Sequence, residues 1–298
     1  MTYHETVLLR ESIEGLAIKP GGVYVDATFG GGGHSAEILK GIGNGRLFAF
    51  DQDSDAMGNA LDDKRLTLVH ANFRYLKNFL KYHKIHSVDG IIADLGISSH
   101  QIDHPERGFT FRSNAEIDLR MNTGSNRNAQ KILAEYNTED LSRLFFEYGD
   151  LKEAKKIAGA IVQFREGKRI KTMIDLKEAI GRFAEKGKEN KFFAKTLQAL
   201  RIEINLELES LKELLLYGTE MLVKGGRWVI ISYHSLEDRL VKNFLKAGNF
   251  EGIEVKDFFG NKNKLFNVIT SKPVVPGEIE IERNNRARSA KMRIAEKN

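Results

Sequence analysis

The sequence predicts an α/β fold: a mostly parallel sheet with helices on both faces, interrupted by an all-helical insertion. Three observations predict it. Short apolar runs without helical spacing alternate with helix-sized stretches over residues 23–96. Four consecutive glycines, Gly30 to Gly33, stand between the first of those runs and a helix start. Strand signals return after residue 225, beyond a long stretch that carries helical spacing alone.

The first strand is "VYVDAT" (23–28), followed by "RLFAFDQD" (46–53), "LTLVHAN" (66–72) and "DGIIADLG" (89–96), each bounded by Gly, Asp or Asn. Helices are predicted at 34–41 and 53–61. Strands joined through helices form parallel sheets covered on both faces. From about residue 126 to 195 there are only helical candidates; one opens with Thr138 as N-cap and stops at Gly149, another runs from Asp175 to Gly187. In "LQALRIEINLELESLKELLLYG" the alternation of Ile202, Ile204, Leu206 and Leu208 favours a strand. Leu197, Leu200, Ile204, Leu208, Leu211 and Leu215, however, recur every three or four residues with no Gly or Pro before Gly218. Length decides for one long helix. "GGRWVIISYHS" (225–235) and "LFNVITSKPVVP" are strands again. These signals divide the chain into a first core segment, 1–110, a helical substrate-recognition insertion, 111–200, and a second core segment, 201–298, with a basic C-terminal stretch.

The 298 residues are 41% hydrophobic and 29% charged, an ordinary globular balance. No apolar run reaches membrane-spanning length. "MTYHETVLLRES" has neither a basic region nor a long apolar stretch, so a cytoplasmic protein without membrane contact is expected. There is no cysteine. Disulfides, thiolate metal sites, cysteine-held iron–sulfur clusters and cysteine nucleophiles are thereby excluded. The 46 basic and 41 acidic residues leave a net charge of +5, unevenly placed: residues 151–195 hold 13 Lys and Arg against 6 acids, and residues 283–298 hold 6 against one. Such stretches suit a polyanionic partner, although a solvated lysine-rich helix has the same composition.

Ordered glycine is entropically costly, so four in a row imply a sharp turn or the close approach of something else. Glycines between a strand and a helix leave backbone N–H groups and a helix N-terminus facing the strand ends, where open parallel sheets bind ligands. A nucleoside triphosphate would need Lys and then Ser or Thr after the glycines; here Gly33 is followed by His34 and Ser35. A dinucleotide or S-adenosylmethionine remains. Asp51, about twenty residues beyond the loop, is placed to accept from the ribose of either. "DLGISSHQID" puts Asp94, Gly96, Ser98, Ser99 and Gln101 on a polar loop at the same end of the sheet. That favours methylation of an exocyclic amine over hydride transfer, because such an amine needs an acceptor for its hydrogens while its lone pair is delocalised into the base. Asp94 is that acceptor or a ligand of the cofactor.

"HETVLLRES", "DATFGGGGHS", "DQD", "DLGISSHQID", "ERGFTFR", "IDLRMN", "LQALRIEIN", "GGRWVIISYHSLEDRLVK" and "NNRARSAKMR" occur in this order. Together they resemble the ribosomal RNA small subunit methyltransferase H family, the MraW type, almost end to end. The resemblance implies a Rossmann-like class I methyltransferase core with an inserted helical domain. It implies methylation of N4 of a cytosine in the decoding region of 16S ribosomal RNA, within the small subunit or an assembly intermediate, with S-adenosyl-L-methionine as cofactor; no metal-ligating residue is singled out, and a metal requirement is not legible. By motif position it carries over cofactor contacts at Gly32, Gly33, His34, Asp51, Phe73 in "ANFRYL", Asp94 and Gln101. The missing cysteine agrees with amine chemistry, since methylation at carbon 5 of cytosine normally requires a thiolate nucleophile. In-line transfer to N4 needs no covalent enzyme intermediate.

The sequence departs from neighbouring patterns in places. DNA amine methyltransferases generally carry two prolines and an aromatic after the fourth strand, and "DLGIS" has neither. A platform for the target base must come from elsewhere, with Phe109, Phe111 and Tyr233 as candidates. "EIDLRM" keeps Asp118, Arg120 and Met121 of the family pattern but has Glu116 where the family has proline. His234 in "SYHSLEDR" is a candidate for orienting substrate or removing a proton; the competing reading is a helix start with Ser235 as N-cap and Asp238 three residues on. Arg286 and Arg288 suit bidentate contacts to phosphate. With Phe109, Asp118, Arg120, Arg201, Asn205 and Arg239 they make up the candidate substrate residues. A DNA amine methyltransferase, a cofactor-binding assembly protein without turnover and a nicotinamide oxidoreductase are the other readings, and the oligomeric state is not legible.

Overall fold

The computed structural model describes residues 6–111, 114–254 and 264–298. His4, Glu5 and Arg112 of the quoted motifs lie outside them. In chain order, α1 (Leu9–Leu16) precedes β1 (Val23–Asp26), α2 (Gly33–Gly41), β2 (Arg46–Asp51), β3 (Leu66–His70), α3 (Leu76–Tyr82) and β4 (Val88–Asp94). A run of helices follows: α4 (Ser99–Asp103), α5 (Ala129–Glu135), α6 (Thr138–Glu147), α7 (Ala154–Gly167), α8 (Met173–Ile180), α9 (Glu189–Asn205) and α10 (Glu207–Met221). The chain then returns as β5 (Leu222–Ser232), α11 (Ser235–Ala247), β6 (Phe266–Val268), α12 (Glu278–Arg283) and β7 (Lys291–Lys297). No helix among the described residues is long and apolar enough to cross a membrane.

The strands form one sheet in the order β3-β2-β1-β4-β5-β7-β6. The pairs among β1 to β5 are parallel, and β7 runs antiparallel to both β5 and β6. Successive residues of a strand point to opposite faces. Val25, Phe48, Ile91 and Trp228 therefore join Leu211, Leu214 and Leu215 of α10 in one core, while Tyr24, Leu47, Ile92 and Val229 meet Leu16 of α1 and Ile38 of α2 in another. From β1 the chain proceeds outward through β2 to β3, then returns to place β4 on the other side of β1. The crevice beyond the strand ends at such a reversal is where doubly wound sheets bind ligands. The observed architecture is the mostly parallel, doubly wound sheet with a helical insertion that the sequence predicts.

The chain forms two compact units, one of residues through Gly96 with Leu208–Asn298, the other of Ile97–Glu207. The sequence put the changes at 111 and 200. The earlier start has a packing cause: Phe109, Ile117, Leu119 and Met121, which carry no helical spacing, are buried in the core of the helical unit with Leu141, Phe145, Ile157 and Leu200. At the other end the single long helix is not formed. It breaks at Leu206, which is left-handed at φ 51°. Asn205 is engaged by the preceding loop, accepting from the Met121 N–H at 2.8 Å and donating to the Leu119 carbonyl at 2.8 Å. Residue spacing holds no record of such a contact. The basic C-terminal stretch ends in a strand, β7, with Met292 and Ala295 buried.

Candidate functional site

The sheet unit assembles its polar residues at the C-terminal ends of the parallel strands. β1 ends at Asp26, 1% exposed. Its Oδ2 accepts from the Ser35 hydroxyl at 2.7 Å and its Oδ1 from the Thr28 N–H at 3.0 Å. These bonds tie the strand end to the first turn of α2 and shape the glycine loop between them. Burial pushes the Asp26 carboxyl up to about 6 against the two hydrogen bonds. Within the loop Gly30 and Gly32 have φ of 52° and 77°, open only to glycine without strain. At Gly33 a Cβ would lie 1.8 Å from Thr6 Oγ1, so no side chain fits beside that segment as it stands.

Asp51, at the end of β2, accepts from the Gly30 N–H at 2.8 Å and the Asp53 N–H at 2.9 Å. Burial raises its pKa. Asn59 Nδ2 closes the same loop on the Gly30 carbonyl at 2.9 Å. His34 is 5% exposed. Burial lowers its pKa to about 4, opposed by a hydrogen bond to the Val7 backbone, and its Nε2 has no partner among the described residues. The ring is therefore neutral near pH 7. With one nitrogen donating to the Val7 carbonyl, Nε2 is assigned from the network as a lone-pair acceptor. Phe73 opens a 3-10 turn after β3, capped by Asn72, whose Nδ2 donates to Gln52 at 2.8 Å.

Asp94 ends β4. Its N–H donates to Thr28 Oγ1 at 2.7 Å, and its Oδ1 accepts from the Tyr233 hydroxyl at 2.7 Å. Burial pushes the Asp94 carboxyl up to about 7; the tyrosine opposes this, while the charges of Asp26, Glu237 and Glu280 add to it. Glu280 Oε1 also accepts from the Leu8 N–H at 2.8 Å, holding the start of α1.

His234 is not followed by a Ser235 cap. His234 is itself the N-cap of α11, its Nδ1 accepting from the Glu237 N–H at 3.4 Å, while Glu237 Oε2 accepts from the N–H groups of Tyr233 at 3.0 Å and His234 at 3.4 Å. The box is displaced by one residue because Asp238 is turned away to Arg293, 2.6 Å from its Nε. Arg239 is exposed on α11, and Arg286 and Arg288 lie on a 3-10 turn, Asn285–Ser289, before β7.

In the helical unit the remaining candidates are braced by one another. Gln101, 4% exposed, caps α4: its Oε1 accepts from the Ser98 N–H at 3.1 Å and its own N–H donates to Ser98 Oγ at 3.2 Å. Arg120 pairs with Asp118 through two contacts, at 2.6 and 2.7 Å, and donates to the carbonyls of Thr123 and Ser125. Arg107, which sequence reasoning passed over, donates to the carbonyls of Arg120 and Met121 at 3.1 and 3.2 Å. Arg201 grips Glu207 at 2.7 and 3.0 Å. Phe109 is 8% exposed and packed in the helical core, so its ring is not an open platform for a base. Asp26, Thr28, Asn59, Tyr233 and Glu280 were missed in these roles; Asp26 and Thr28, at the head of "DATFGGGG", had a legible signal, and the others are contributed from distant segments.

The sheet-unit residues fit a cofactor with an ammonium-bearing end and a ribose: a glycine turn, a buried acceptor at His34 with no partner among the described residues, and a carboxylate at Asp51. The MraW methylase family matches residues 1–298. The chain belongs to that family. S-Adenosyl-L-methionine is the family's methyl donor. Among its members, ribosomal RNA small subunit methyltransferase H of Flavobacterium johnsoniae is 54% identical over 298 residues, covering 100% of this chain and 98% of that one. The protein of the same name from Parabacteroides distasonis is 54% identical over 297 residues, 99% and 97% of the two chains. An rRNA methylase from Streptococcus thermophilus aligns at TM-score 0.45 and 11% identity over 98% of this chain and 97% of that one.

Proposed function

We propose that this protein methylates the exocyclic N4 amine of a cytosine in the decoding region of 16S ribosomal RNA, presented by the small ribosomal subunit or an assembly intermediate. The observation that carries the reading is Asp94: a carboxyl at the end of β4 with one oxygen held by Tyr233, in the same unit as the glycine loop. The relatives' name, ribosomal RNA small subunit methyltransferase H, supports the substrate class.

Bound at the loop, the sulfonium cofactor supplies an electrophilic methyl group and a positive charge. Gly32, Gly33 and His34 would hold its amino-acid end, with His34 Nε2 as the acceptor for the ammonium, Asp51 would accept from the ribose and Phe73 would complete the contacts of the sheet unit; Gln101 is the cofactor candidate of the helical unit. Asp94 ionises more readily beside a positive charge than alone. As a carboxylate it accepts the hydrogen bond of the amine while the lone pair turns out of the base. It takes the proton that nitrogen releases once it carries the methyl group. Arg239, Arg286 and Arg288 contact phosphates, and because the cytosine must leave its stack, flanking nucleotides need such anchors.

Tritiated methyl transfer to small subunits lacking the modification, followed by nucleoside analysis, tests this reading. Recovery of N4-methylcytidine is expected; label in another nucleoside, or in DNA alone, would overturn it. Asp94→Asn, which keeps the shape but not the base, is expected to lower kcat by about a hundredfold or more and to remove the acid limb of the pH profile.

A further inference from the structure

Tyr233 has no part of its own in that scheme. Its sequence position made it a candidate to stack on the target base, but three anchors hold the residue. Its N–H donates to Glu237 Oε2 at 3.0 Å, inside the capping box of α11. Its ring lies against Gly96, where a Cβ would be 3.2 Å from Cδ2 and where φ of 103° admits only glycine without strain. Its hydroxyl donates to Asp94 Oδ1 at 2.7 Å. A ring fixed at backbone, edge and tip is not free to swing onto a base.

We propose that Tyr233 is the positioning residue of the methyl transfer: its hydroxyl occupies Oδ1 of Asp94 and leaves Oδ2 as the one oxygen for the amine, while the His234–Glu237 cap holds Tyr233 in place. This rests on Asp94 as the acceptor of the amine's proton. Asp94 Oδ2 has no partner among the described residues. Among the described residues, the charges that act on the pair include Asp26 from β1, Glu237 from α11 and Glu280 from α12, with the His234 ring beside Glu237, Nε2 3.2 Å from Oε1. The tyrosine hydroxyl favours the ionised carboxyl against these acids. His234 then acts through Tyr233 and not on the substrate.

Tyr233→Phe keeps the ring and removes the donor. Its acid limb is expected to move up by about one pH unit, with kcat on the acid side of the limb down about tenfold, the values for RNA and cofactor KM nearly unchanged, and activity recovered in alkaline buffer. Infrared titration of the cofactor-free protein, with the Asp94 carboxyl band assigned by Asp94→Asn, reads the same change without substrate. His234→Ala is expected to reproduce part of the loss, His234→Asn, which keeps a cap acceptor, to restore it, and the Tyr233→Phe, His234→Ala double variant to lose less than the sum. A Tyr233→Phe protein whose acid limb and carboxyl titration stay in place, or whose loss lies in KM, would overturn the proposal. If the wild-type protein puts no methyl group on cytosine, the reading of function fails and the infrared titration still decides whether Tyr233 sets the state of Asp94.

Discussion

A buried imidazole with one nitrogen tied to the Val7 backbone and the other without a partner among the described residues acts as a neutral acceptor, and His34 stays so until the pH falls to about 4. Below that it becomes cationic and repels the ammonium it is proposed to hold. His34→Phe, which fills the space and removes the acceptor, is expected to weaken cofactor binding about tenfold, as the loss of one charge-assisted hydrogen bond does, with the unfolding midpoint unchanged or raised. Calorimetric titration and thermal unfolding check the two halves; a lowered midpoint with unaltered affinity would make His34 purely structural. At this scale the sequence showed what is local. Gly32, Gly33, His34, Asp51 and Asp94 could be picked out because each closes a strand or follows one by a fixed interval. The Tyr233–Asp94 pair spans 139 residues, and no periodicity reports it. The cap of α11 was misplaced by one residue because two acids, Glu237 and Asp238, compete for it, and Arg293 from another strand settles which is free.

Elements were legible where one period dominated. The parallel strands and α2 fell where apolar runs and glycines put them, and the helical identity of α9 and α10 followed from spacing. The left-handed Leu206 between those helices did not, because the break is enforced by Asn205 bonding the loop around Leu119 and Met121. Strand β7 was concealed by its charges: Arg293 alternates with buried Met292 and Ile294, and its own guanidinium is satisfied by Asp238. The packing of α10 carries a sharper consequence. Gly218 faces Trp228 of β5, and a Cβ there would lie 2.5 Å from Cζ2 of a fully buried indole whose Nε1 also donates to Thr219 at 3.2 Å. Gly218→Ala gains helix propensity but is expected to lose roughly 1–3 kcal/mol to overpacking. Chemical denaturation measures this, and a stabilised variant would show that helix and sheet separate more easily than the contacts indicate.

Over the whole molecule, charge placement makes stability depend on pH in a definite direction. Asp26 and Asp94 have carboxyls pushed up to about 6 and about 7, and Asp51 is raised as well. A carboxyl raised in the folded state stabilises it fully below the unfolded pKa and loses that contribution as pH rises through the folded value. The unfolding midpoint of the cofactor-free protein is therefore expected to fall between about pH 4 and about pH 7 and to level off above that. Asp94→Asn should flatten that fall and raise the midpoint at the alkaline end while abolishing turnover. A midpoint that climbs over this range would contradict the burial of these acids. The site is thus built at the expense of stability, as is common where function needs an unfavourable group.

The bond from the Leu8 N–H to Glu280 crosses 272 residues, and it lies at the site. Contacts of such separation form late in folding, because loop-closure entropy must be overcome before they contribute. The helical unit, contiguous from Ile97 to Glu207, closes on neighbours in the chain, whereas β4 and β5 find each other only across it. The Tyr233–Asp94 pair, drawn from the ends of β5 and β4, is accordingly expected to form after the helices, and a folding intermediate with only its helices in place would have no catalytic competence.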